Sequence, residues 1–144
     1  MNQRGASLIE LLSVVAILAI VGAMSGPPWL ALAARQESWA VTRAIAGELR
    51  LARQLAMARH ARVRVVIDME SMTVRTESAE GGAAPLRMYE FSGKRTIVES
   101  VSNGVQIMFH PNGRSATANT IVLRDRQYNR RTLTIGITGK VTIS

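Results

Sequence analysis

The sequence predicts an α+β protein: one long N-terminal helix, apolar in its first half and amphipathic in its second, then short antiparallel strands that cover the amphipathic half. Three observations carry this. Nothing between Glu10 and Arg35 ionises; apolar residues from Val41 to Ala56 recur at spacings of three and four; and beyond Ala61 the period drops to two. The chain has 144 residues, and the roughly 110 that follow the uncharged run suit one small domain.

The uncharged run, Leu11 to Ala34, has 24 residues, enough as a helix to cross a hydrocarbon core that needs about 20. At its head stands Arg4-Gly5-Ala6-Ser7-Leu8-Ile9-Glu10. A carboxylate beside a membrane segment is costly in lipid and implies a cationic partner, which makes Glu10 the first candidate functional residue. Two simpler readings compete. A plain anchor explains the apolar run but not the glutamate. A secretory signal peptide needs small residues after its apolar region, whereas Gly5 precedes it, and only Ala23-Met24-Ser25 offers a weak small-x-small site. Gly26-Pro27-Pro28 interrupts the run. Proline removes a backbone donor and glycine adds freedom, so a bend or local melting is expected there.

Gln36 to about Arg62 lacks proline and is rich in Ala, Leu and Arg, all good helix formers. Val41, Ile45, Leu49, Ala52 and Ala56 make one apolar stripe, with Arg43, Arg50 and Gln54 on the opposite side; Gly47 weakens this stem slightly. Next, Arg62 to Ile67 and Met72 to Thr76 alternate or are β-branched, with Asp68-Met69-Glu70-Ser71 as the hairpin connection. Glu80 to Pro85 reads as a flexible loop. Further strands are expected at Leu86 to Phe91, Val105 to Phe109, Thr120 to Leu123, Thr132 to Ile137 and Lys140 to Ile143.

Catalysis finds little support. His60 and His110 have no metal-ligand spacing to a second His or carboxylate cluster, and there is no cysteine. Ser102 and Ser115 lack a His and acid arrangement. Gly104, Gly113 and Gly139 read as turns, outside any phosphate-binding motif. The chain therefore reads as a non-enzyme with no cofactor. Its net charge of +8 favours anionic partners. Arg124, Arg126, Arg130 and Arg131, with only Asp125 among them, read as a dense basic loop, and Lys140 can lie close by on the final strand. Such a cluster can neutralise phosphates without reading bases; a solvated loop of a cationic protein is the alternative. Tyr128 is the one aromatic there that could stack a base.

Gly5-Ala6-Ser7-Leu8-Ile9-Glu10-Leu11-Leu12 resembles the class III leader of type IV pilins and type II secretion pseudopilins. That resemblance implies a leader of residues 1–5, cut by prepilin peptidase between Gly5 and Ala6; N-methylation of Ala6, where the family usually has phenylalanine; a transmembrane and filament-core helix over 6–34; and a periplasmic domain over 35–144 whose amphipathic helix spans about 35–61. It places Pro27, with Pro28, at the family's helix kink. It also implies that Glu10 pairs with the methylated amine of a neighbouring subunit as the filament grows. An ion pair in a low-dielectric bundle is favoured over either charge alone and can fix axial register.

In the second half, Ile107 to Arg114, Thr120 to Leu123, Arg131 to Ile135 and Gly139-Lys140-Val141 resemble the C-terminal pattern of the GspH/FimT family, as Leu49 to Ala56 resembles its helix. The function implied is that of a minor pseudopilin at the tip of a type II secretion pseudopilus, anchored in the bacterial inner membrane. Its partners would be other major and minor pseudopilins, prepilin peptidase and secreted protein substrates. The alternative is a FimT-like minor pilin that binds DNA for transformation. The Gly-Arg-x-Arg signature of those proteins corresponds here to Gly139-Lys140-Val141-Thr142, in which the second arginine is missing.

Overall fold

The computed structural model describes residues 7–81 and 84–144, and of 24–34 the backbone alone. The expected leader and the Gly5–Ala6 junction with its methylation site lie outside the described residues. One helix, α1, spans Leu8–Arg59 and is helical through Gly26-Pro27-Pro28. It ends where His60 enters the left-handed region at φ 50°, with the Ala61 N–H bonded back to the Ala56 carbonyl at 3.3 Å. That is two residues short of the expected end near 61, because a left-handed residue cannot continue the helical ladder.

The chain divides into two units, one ending at Ala34 and one of Arg35–Ser144. In the first, the described side chains from Ser7 to Ala23 are all exposed, apolar ones included. Among the described residues no helix is long and apolar enough to cross a membrane.

Among the described residues the second unit carries eight strands: β1 (Val63–Asp68), β2 (Thr73–Ser78), β3 (Arg87–Glu90), β4 (Thr96–Val101), β5 (Gln106–Phe109), β6 (Asn119–Asp125), β7 (Arg130–Ile135) and β8 (Val141–Ile143). They form two antiparallel four-stranded sheets, ordered β3-β2-β1-β5 and β4-β6-β7-β8. Period-two burial sets the registers. Val63, Val65 and Ile67 face inward beside Ile107 and Phe109, and in the other sheet Ile121 opposes Leu133 while Ile135 opposes Val141. Both sheets contribute to one apolar core with Val41, Ile45, Leu49, Ala52 and Ala56, the stripe read from the sequence, each at most 1% exposed.

Polar side chains of the stem add ties that the helical wheel does not reveal. Glu48 holds Arg87 of β3 through two hydrogen bonds of 3.0 and 3.1 Å; Arg50 donates to the Val141 carbonyl of β8 at 3.2 Å; Arg53 donates to the Gly113 carbonyl at 2.8 Å. At the β1–β2 turn, Asp68 Oδ1 accepts the backbone N–H groups of Glu70 and Ser71, both at 3.0 Å. These bonds, Ser71 foremost, hold the Asp68 carboxyl below the usual carboxylate range.

Strand β4 was not anticipated. Its register slips between Val98 and Ser100, so Glu99 is the inserted residue of a β-bulge against β6. A bulge breaks the alternation that a sequence reading relies on and re-aims the side chain it inserts.

Candidate functional site

Glu10 sits in the first turn of α1, where a negative charge suits the exposed N–H groups and the helix dipole. Ser7 immediately precedes the helix; its carbonyl accepts the Glu10 N–H at 2.8 Å and the Leu11 N–H at 3.2 Å. Ser7-Leu8-Ile9-Glu10 has the spacing of a capping box. The Glu10 side chain is exposed and makes no ion pair among the described residues.

The five cations grouped by the sequence reading do not form one loop. Arg124 lies on β6, Arg130 and Arg131 on β7, and Arg126 alone belongs to the connecting turn. Lys140 precedes β8 beside Gly136, whose N–H donates to the Lys140 carbonyl at 2.9 Å. The length of β7 therefore separates Lys140 from Arg130 and Arg131, because β8 meets β7 through Ile135 and Val141 at the opposite end.

The remaining four are sorted by their partners, and Arg124 and Arg130, opposite each other across β6 and β7, share Glu99. The bulge at Glu99 delivers its carboxylate to Arg130 through two 2.8 Å hydrogen bonds, with Arg124 at 3.9 Å. The hydrogen bonds from Arg130 hold Glu99 below its ordinary pKa and raise that of Arg130. Arg131 leaves the cluster altogether. Its guanidinium lies 4.0 Å from the centroid of Trp39 on the stem, which Arg43 also approaches at 5.3 Å, and its Nε donates to Ser38 Oγ at 3.3 Å. Arg131 thus ties β7 to α1 as a packing residue.

Asp125 organises the β6–β7 turn. Its Oδ1 accepts the Gln127 and Asn129 backbone N–H groups at 2.8 and 2.9 Å, and its Oδ2 accepts the Asn129 side-chain amide at 2.9 Å. Burial pushes the Asp125 pKa up, but these bonds and the charge of Arg131 outweigh it and leave the group below its ordinary value. The Arg126 N–H bonds to the Arg95 carbonyl at 3.1 Å, so the turn packs beside the segment leading into β4. Between them opens a cleft of about 450 Å3 walled by Lys94, Arg95, Arg124 and Arg126.

Lys94, Arg95 and Glu99 escaped the sequence reading because β4 did; the signal was there in Thr96-Ile97-Val98, a β-branched run directly after a Gly-containing turn. His60 serves as the left-handed stop of α1, and His110 lies in a turn closed by the Gly113 N–H to the His110 carbonyl at 2.8 Å. Among the described residues no three His, Cys, Asp or Glu side chains gather where they could hold a metal.

A stem helix under antiparallel sheets, entered through a glycine, a short linker and a glutamate, defines a pilin-like subunit. The model of the GspH family, type II transport protein GspH, matches residues 41–139, and that of the prokaryotic N-terminal methylation motif matches residues 1–26. The chain belongs to the GspH family. Among solved structures it is similar to the type IV minor pilin FimU of Pseudomonas aeruginosa, with a TM-score of 0.65 at 18% identity, over 76% of this chain and 90% of that one. It is similar also to the minor pseudopilin EpsH of the type 2 secretion system of Vibrio cholerae, with a TM-score of 0.63 at 13% identity, over 75% and 96% of the two chains. At these identities the likeness is one of fold. No curated protein sequence matches the chain.

Proposed function

We propose that this chain is a non-catalytic minor pseudopilin of a type II secretion system. It is cut after Gly5, methylated at Ala6, held in the inner membrane by residues 6–34, kinked at Pro27 and Pro28, and built into the tip of a periplasmic pseudopilus that helps move folded proteins across the outer membrane. The observation that carries this reading is Glu10: a carboxylate in the first turn of an apolar helix, next to a matched methylation motif, with no cation beside it among the described residues. A partner for it from another subunit, the methylated amine, supplies the missing charge.

A second reading, a DNA-binding minor pilin for transformation, draws on the net charge of +8 and on the cations around the β6–β7 turn. The arrangement of those cations favours it less, since Glu99 takes Arg130 and Arg124, and Arg131 is spent on Trp39. The test is a strain in which Glu10→Leu replaces the wild type. The variant should reach normal levels in the inner membrane, export of secretion substrates should stop, and DNA uptake should be unchanged. Normal export together with lost transformation would reverse the order of the two readings.

A further inference from the structure

We propose that the cleft between the β3–β4 connection and the β6–β7 turn is a docking site for an acidic polypeptide segment carrying an apolar side chain, presented by another protein. The proposal goes beyond membership of a filament and does not depend on which system the chain serves.

Two independent observations carry it. The first is charge and its distribution. Lys94 and Arg126 are exposed and form no ion pair among the described residues; Arg95 and Arg124 reach carboxylates only at 3.9 Å, Glu37 and Glu99 respectively. The one acid in the wall, Asp125, spends its oxygens on the turn's own N–H groups. A cleft of about 450 Å3 in which Lys94 and Arg126 have no ion pair among the described residues attracts carboxylates.

The second is backbone strain. Among the described residues only His60, Met72 and Tyr128 are non-glycine residues at positive φ, and Met72 (φ 52°) and Tyr128 (φ 62°) both line this cleft. His60 ends a helix, a common use of that conformation. Tyr128 takes the left-handed position that closes the β6–β7 loop, where glycine or asparagine would fit at lower cost, and the ring is 76% exposed, so folding gains little from it. Arg124 lies 5.1 Å from the ring centroid and steadies it beside the opening. With Met72 and Ile97, Tyr128 gives the cleft apolar surface among its cations.

This pairing distinguishes the occupant. A nucleic-acid strand needs a cationic track along its backbone. Here Glu99 interrupts any such track toward β7, and Lys140 stands at the other end of that strand. A short segment with carboxylates for the walls and one apolar side chain for Met72, Ile97 and Tyr128 matches what is present.

The test uses the full chain in zwitterionic detergent micelles and fluorescence anisotropy at low salt. The probe is a labelled peptide of glutamates around one central phenylalanine, compared with the same peptide carrying alanine at its centre and with an oligothymidylate. Arg126→Glu and Lys94→Glu should each weaken binding of the phenylalanine peptide about tenfold or more, the usual scale for reversing a charge that faces its partner. Lys140→Glu should leave it unchanged. Tyr128→Gly separates site from scaffold: it relieves the strained φ, so the melting temperature should hold or rise while affinity falls. The proposal is overturned if Lys140→Glu weakens binding as much as Arg126→Glu, if Tyr128→Gly binds like the wild type, if the alanine peptide binds equally well, or if the oligothymidylate displaces the peptide at the lower concentration.

Discussion

At Gly139 the need for glycine is geometric. The residue has φ 75°, and a Cβ there would meet the Gly113 carbonyl oxygen at 2.1 Å and Arg53 Nε at 2.9 Å. Because Arg53 also donates to that same carbonyl, the stem and two turns meet at one point. Gly139→Ala must displace backbone, and the isolated domain of residues 35–144 should lose roughly 1 to 3 kcal/mol, read from its thermal unfolding. The sequence marked Gly113 and Gly139 as turns but could not foretell this contact, since closeness between residues so far apart in the chain is a property of the fold. Leu49, fully buried on the stripe, should cost roughly 2 to 5 kcal/mol as Leu49→Ala. Arg50→Ala should cost about 1 kcal/mol for its lost bond to β8, a charge the helical wheel alone would assign to solvent. Asp125 gives a pH signature. Its folded pKa lies below the unfolded value of about 3.9, so its contribution to stability is present above that value and disappears as pH falls through the folded pKa. The difference in melting temperature between wild type and Asp125→Asn should therefore be largest near neutrality and shrink below about pH 4.

At the scale of elements, the stem shows what periodicity can deliver. Spacings of three and four identified its buried face because every position of the stripe meets the same core. Gly47 lies on the other side, exposed, with open space where a Cβ would be. Gly47→Ala should stabilise the domain by about 0.5 to 1 kcal/mol, measured by denaturant unfolding, since only backbone entropy separates the two residues there. The strands were legible wherever apolar residues alternate, as in Val63, Val65 and Ile67. The bulge at Glu99 hid β4, and with β4 went the acid that neutralises two of the basic residues. A cluster of like charges in sequence was thus read as one surface, when a carboxylate on an unseen neighbouring strand and an aromatic ring on the stem had already claimed three of its members.

For the whole molecule, the N-terminal segment and the domain ask different questions of their surroundings. The domain buries its own apolar side chains in a single core, with stem arginines bonded to strand and turn carbonyls. The N-terminal run instead exposes Leu8, Ile9, Leu11, Leu12 and their successors, and with them a glutamate that has no ion pair among the described residues. Apolar surface of that extent belongs in lipid or against other helices, and a carboxylate at its head belongs beside a cation. Both needs are met if the chain is trimmed after Gly5, so that Glu10 follows closely on a new charged amine and the same arrangement recurs in each neighbouring subunit. The most direct measurement is mass spectrometry of the protein recovered from the membrane of a host that carries prepilin peptidase. The account predicts a chain that begins at Ala6 with one methyl group on its amine, and a Gly5→Leu variant that keeps its leader. A wild-type chain that retains Met1, or one that begins near Ser25, would contradict it.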